Sequence, residues 1–248
     1  MLARTHIALG LTTALFTATL IGTSYLKDRP DAITLLVIVI AALLPDLDMG
    51  TSALAGKFGV LKANHIQKIW LVVLILLAAI TVVYLKETPI FYGVLFMLLL
   101  AAVFSKDFAK KGYYVLRNLV QGMIGVGFIG AGYYYQQPPL VGIGCILILL
   151  LLSKHRGLSH SIVFVAITYI VVKSISSYYD YMDYSLLFAV SILSHIIGDM
   201  LTKTGVMLFY PFSQKRIKFP YTIKTGGKLE NIIFLAAFLI AFRLARLL

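Results

Sequence analysis

Lys154-His155-Arg156-Gly157-Leu158-Ser159-His160-Ser161 sets two histidines around an Arg-Gly turn, between an apolar run ending near Leu152 and another beginning at Ile162. Several apolar runs of this chain approach or exceed the roughly 17–25 residues that cross a bilayer as a helix. The motif therefore reads as a short connection between two membrane spans. The rest of the composition agrees: 248 residues with mean hydropathy +0.92, 60% hydrophobic and 13% charged, against about 25% charged for a soluble domain. The expected fold class is all-α, a polytopic transmembrane helical bundle of about eight or nine spans in one integral-membrane domain over residues 1–248.

Outward from the motif, the spans are expected at 2–26, 32–44, 69–85, 90–104, 119–135, 140–152, 160–178, 186–201 and 229–248. Pro45 stops the second, Lys86-Glu87-Thr88-Pro89 closes the third, and Pro138-Pro139 mark a turn before the sixth. The patch of Lys106, Lys110, Lys111 and Arg117 is read as a basic connection between spans four and five. Glycines in the fifth run permit close helix–helix approach. The apolar stretch from Ile7 is too long for a signal-peptide core, so it is read as the first span. Tyrosine clusters at 133–135 and 178–184 suit the membrane–water interface.

The formal net charge is +12, and its distribution points away from nucleic acid. With the N-terminus cytoplasmic, sixteen lysines and arginines fall in inner segments, against Lys27, Arg29 and Lys86 outside. That bias orients a membrane protein by the positive-inside rule; Arg243 and Arg246 at the far end do not follow it. A single cysteine, Cys145, excludes an internal disulfide and a cysteine-type zinc site, and reads as a small apolar side chain.

On this map the ionisable candidates gather at one face. His6 opens the first span from inside, Asp46 and Asp48 end the second, and His155 and His160 occupy the inner 154–161 turn. His195 and Asp199 lie at the inner end of the eighth span, and Glu230 begins the ninth. His195 and Asp199 are four apart, so they share a helical face. Asp46 and Asp48 would point the same way if the chain is extended after Pro45. The Arg156-Gly157 break lets His155 and His160 face one centre, with His160 in the first turn of the seventh span. Ionisable groups within spans are costly and mark functional sites. Imidazole with carboxylate suits zinc, manganese or iron, so His6, Asp46, Asp48, His155, His160, His195 and Asp199 are the expected ligands of one or two divalent ions, zinc first, with some of them able to serve as outer partners. His65 has no partner at useful spacing and is read as structural. Arg156 has the planar fork that matches phosphate or carboxylate, Glu230 is the spare carboxylate for proton transfer, and Ser159 is read as a cap of the seventh span. Residues 208–218, apolar beside Lys215, Arg216 and Lys218, suit an anionic lipid surface.

Arg4-Thr5-His6, Leu44-Pro45-Asp46-Leu47-Asp48, His155-Arg156-Gly157-Leu158-Ser159-His160-Ser161 and Ser194-His195-Ile196-Ile197-Gly198-Asp199 together resemble the bacterial and archaeal family of membrane-bound metal-dependent hydrolases, the YdjM-like proteins. Gly205, Tyr210-Pro211-Phe212, Gly226-Gly227 and Glu230 extend the likeness over nearly the whole chain, although the third to fifth spans carry no motif. Ser159 stands where the family usually has Thr. The resemblance implies hydrolase chemistry in the prokaryotic cytoplasmic (inner) membrane, and a looser similarity to zinc-dependent phospholipase C motifs implies phosphoesters. The expected activity is therefore cleavage of a phosphoester by metal-activated water, a lipid substrate being preferred, with Arg156 holding the anionic group and Glu230 moving protons. Two other classes compete with it: a divalent-cation transporter, whose site would lie nearer the midplane between related repeats, and a non-catalytic membrane scaffold stapled by a metal.

Overall fold

A computed structural model describes residues 1–21, 30–48, 55–59 and 61–247. It is all-helical: α1 Ala3–Ile21, α2 Ala32–Leu43, α3 Ala63–Leu85, α4 Phe91–Val103, α5 Ser105–Tyr134, α6 Pro138–Leu152, α7 Ile162–Tyr178, α8 Ser185–Met200 and α9 Lys228–Leu247. Tight 3-10 turns cover Leu44–Asp48, Ala55–Phe58 and Leu158–His160. Among the described residues there is no strand, only the isolated bridges of Thr202 with Ile223 and Val206 with Ile217. Residues 22–26 of the expected first span, with Lys27, Asp28, Arg29, Gly50 and Leu248, lie outside the described residues.

The chain divides into two compact units, one of Met1–Ala55 with Gln121–Leu248, the other of Gly56–Val120. In the first, α1 packs on α2, α8 and α9, α8 also meets α2 and α7, and α6 lies on α7. Small residues every fourth position of α1 make this possible. Ala14 and Ala18 are buried with Leu15, Ile38, Leu187 and Ala241, and at Gly10 a Cβ would come within 2.6 Å of Ser191 Oγ and 2.8 Å of Ala42 Cβ. The same device joins α5 to α6, where a Cβ on Gly144 would stand 2.5 Å from the Gly125 carbonyl oxygen. Beside it, Gln121 Nε2 donates to the Leu147 carbonyl at 3.0 Å. In the second unit α3 and α4 pack together, and Trp70 stacks on Phe108 with centroids 4.2 Å apart.

Helix ends follow the sequence chemistry. Asp31 caps α2 by accepting from the Thr34 amide at 2.7 Å, and Pro45, which has no N–H to donate, follows its last turn. Two expectations change. The Lys106, Lys110, Lys111 and Arg117 patch is not a connection but the first half of the 30-residue α5, because only Phe104 separates α4 from it and nothing in 105–117 breaks a helix. The seventh run also differs at the motif: α7 starts at Ile162, with Ser161 as its cap accepting from the Phe164 amide at 3.2 Å, so His160 precedes the helix and Ser159 is not the cap.

α3 and α5 are long and apolar enough to cross a membrane by length and composition, and α4, α6, α7 and α8 are shorter apolar helices. Val72, Ile75, Leu76 and Val83 on α3 and Leu20, Leu36, Ile170 and Leu235 elsewhere point outward. Apolar faces turned outward on helix after helix are what a lipid surround requires and what water penalises.

Candidate metal centre

Three segments far apart in sequence build the centre in the first unit. α8 supplies His195 and Asp199 from one face, both buried. His195 is fixed by α2: its Nδ1 donates to the Ala42 carbonyl at 2.7 Å, one of the carbonyls that a helix C-terminus leaves without an intrahelical partner. One turn earlier Ser191 Oγ donates to the Ile38 carbonyl at 2.9 Å, so α8 is tied to α2 in register. Immediately after α2 the chain winds as a 3-10 turn rather than extending. Residues two apart in such a turn face different ways, so Asp46 and Asp48 part company.

The 154–161 turn brings the other histidines. Arg156 has φ +63°, a left-handed conformation that reverses the chain. The following Gly157 leaves no room for a side chain, since a Cβ would lie 2.9 Å from the Lys154 carbonyl oxygen. The turn is held from outside by 202–208: the Met207 amide donates to the Arg156 carbonyl at 3.0 Å and the Ile162 amide to the Leu208 carbonyl at 3.0 Å.

Asp46, His160, His195 and Asp199 offer one donor atom each, all within 4.8 Å of one another. His195 Nε2 is 3.2 Å from His160 Nε2 and 3.6 Å from Asp46 Oδ1; His160 Nε2 is 3.4 Å from Asp199 Oδ2 and 3.8 Å from Asp46 Oδ1. Donors held about 2.0–2.2 Å from one tetrahedral ion lie roughly 3.3–3.6 Å apart, so these spacings fit a shared cation. Because Ala42 takes the Nδ1 proton of His195, its Nε2 carries the lone pair and is ready to ligate. Two nitrogens and two carboxylate oxygens suit zinc, manganese or iron. Burial lowers the His160 imidazole from its ordinary value, which keeps it neutral, as a ligand must be. Burial pushes the Asp46 carboxyl up, but the neighbouring histidines, His195 foremost, override it and hold it down at about 2.

The remaining candidates arrange themselves around these four. His6 stacks on His195 with centroids 3.6 Å apart and reaches Asp199 Oδ1 at 3.4 Å. It is fully buried, and neither ring nitrogen forms a hydrogen bond, which is costly unless something else meets them. Asp48, His155 and His160 form a second group: His155 Nδ1 lies 2.9 Å from Asp48 Oδ1, and Ser159 Oγ donates to Asp48 Oδ2. Arg156 is engaged within the protein, donating to Thr202 Oγ1 at 2.8 Å and the Gly205 carbonyl at 3.3 Å, with Nη2 3.3 Å from Asp199 Oδ2. Glu230 is not brought to the group. Its two oxygens accept from the Leu2 and Gly226 amides, so it anchors the start of α1. His65 is exposed on α3. Thr202 and the Ala42 carbonyl had no signal in the sequence, while Ser159 lay inside the motif.

The chain matches the family model described as YdjM inner membrane protein over residues 1–247. It belongs to the YdjM inner membrane protein family. Comparison with curated proteins and with solved structures finds no match. Family membership places the chain in the inner membrane, in association with the lipid bilayer, and the outward apolar faces of its helices are consistent with that.

Proposed function

We propose that this YdjM-family chain is an integral-membrane, metal-dependent hydrolase that cleaves a phosphoester, preferentially of a lipid, at the cytoplasmic interface. The single observation that carries the reading is the convergence of Asp46, His160, His195 and Asp199, from three separate segments, within 4.8 Å. The proposed topology is eight or nine spans with a cytoplasmic N-terminus, supported by the lysine and arginine bias.

A divalent ion bound here would act as a Lewis acid and bring a coordinated water to a pKa near 7. The residues divide the remaining work. His160, His195 and Asp46 hold the ion. Asp199 is drawn also to Arg156, His6 and the Met1 amino group, which leaves three committed protein donors, the number usual in catalytic zinc sites. Arg156 sets a fixed positive charge beside the centre, where an anionic ester group would be held. His155, with a third of its side chain exposed while Asp48 is buried, is the group open to solvent. Oriented by Asp48, it takes the proton-transfer role at Nε2, in place of Glu230.

Four protein donors around one ion also describe a closed structural site, and this second reading has a direct test. Cobalt-substituted protein in detergent should show a visible spectrum that shifts when a phosphate monoester is added, and phospholipid or lipid-phosphate turnover should vanish in Asp46→Asn. A spectrum indifferent to every added anion, with no turnover in any metal form, would leave the structural staple.

A further inference from the structure

Asp48, His155 and His160 offer donor atoms close enough for a cation of their own, so the centre could hold two ions. The hydrogen bonds argue otherwise. Asp48 is an acceptor only, and Ser159 Oγ lies against its Oδ2, so the serine proton points at Asp48. The same oxygen lies 2.9 Å from His160 Nδ1 and, having given its proton away, can only accept there. His160 therefore carries its proton on Nδ1, and its Nε2 is bare toward His195 Nε2, 3.2 Å away. His195 reaches the same state by a different route, through Ala42. The other Asp48 oxygen, Oδ1, is taken by His155 Nδ1 at 2.9 Å. The Asp48 side chain and Ser159 are fully buried, so water does not compete for the bonds of the Ser159 hydroxyl.

We propose that Ser159 and Asp48 are positioning residues for a single ion: the relay from Asp48 Oδ2 through Ser159 Oγ to His160 Nδ1 sets the His160 tautomer and aims Nε2 at the His195 and Asp46 donors. The second group is then a hydrogen-bonded support and holds no ion. This inference rests on the metal reading above. It also accounts for the hydroxyl between the two histidines of the motif, since serine or threonine can both give and accept at one oxygen and alanine or valine can do neither.

The test uses the full chain in detergent, stripped of metal and titrated with zinc, with elemental analysis for stoichiometry. The wild type should bind one ion. Ser159→Ala should bind one ion about 10–100-fold more weakly, the range for loss of a partner behind a ligating histidine. Because a buried serine can affect folding, the isosteric pair Ser159→Thr and Ser159→Val separates hydroxyl from volume: the threonine variant should stay near wild type and the valine variant should weaken like alanine. Equal affinity for the threonine and valine variants overturns the relay. Two ions in the wild type, falling to one in Asp48→Asn, overturn the single-ion claim. No ion in the wild type removes the metal reading itself, an outcome distinct from both.

Discussion

Replacing His195 with alanine removes the donor whose geometry is most completely determined. Its Nδ1 is committed to Ala42, its Nε2 stands 3.2 Å from His160 Nε2 and 3.6 Å from Asp46 Oδ1, and His6 stacks on its face. No other imidazole can move into the gap, since His6 lies parallel to the ring rather than at its Nε2 edge. Structural zinc sites bind with apparent free energies of about 10–16 kcal/mol, so an even share for one of four ligands, the water included, is roughly 2.5–4 kcal/mol, or a hundred- to thousand-fold loss of affinity. Competition of the detergent-solubilised chain with a chromogenic zinc chelator reads this range directly. His65→Ala, on the exposed face of α3, is the control and should leave affinity unchanged. Wild-type affinity in folded His195→Ala would refute the assignment of the centre, whatever happened to turnover.

Other parts of the account can be checked by unfolding. Glu230→Ala removes the carboxylate that accepts from the Leu2 and Gly226 amides and should cost about 1–3 kcal/mol, seen as a lower thermal midpoint, while zinc stoichiometry stays at one; loss of turnover without loss of stability would instead restore Glu230 to the chemistry. Gly144→Val drives a side chain into the Gly125 carbonyl and the Ile129 backbone of α5 and should destabilise by ~1–3 kcal/mol, whereas Gly127→Val, with open space around it, should melt like wild type. The folded chain resists protonating His160, whose value is lowered by burial, while the unfolded chain takes up that proton near the ordinary 6.5. Stability of the metal-free protein should therefore fall as the pH drops from 7.5 to 5.5, and a midpoint that rises over that interval contradicts the burial argument. Asp46, held at about 2, stays ionised in the folded chain through that window and contributes nothing to the fall.

How far the sequence leads can be seen residue by residue. The helices from α6 to α9 were legible within a few positions because apolar length and proline punctuation set them. α5 was not, because hydropathy drops across Lys106 to Arg117 while the backbone stays helical. His195 and Asp199 were legible as a pair because helical spacing alone decides it. The split of Asp46 from Asp48 was not, since it depends on a 3-10 turn after Pro45 that no local signal distinguishes from an extended chain. Ser159 was in plain sight between two histidines, but its role depends on where Asp48 comes to rest, and that is tertiary information. Arg156 and Glu230 were read as an anion anchor and a proton carrier. Their hydrogen bonds to Thr202, Gly205, Leu2 and Gly226 come from segments that sequence spacing does not connect to them.

The most direct measurement is elemental analysis with X-ray absorption at the metal edge on the purified full chain, wild type beside the combined His160→Ala and His195→Ala variant. The account predicts one divalent ion per wild-type chain, ligated by two imidazoles and carboxylate oxygen, and none in the combined variant. A metal-free wild type, or an ion that persists with unchanged ligands after both histidines are gone, would contradict it.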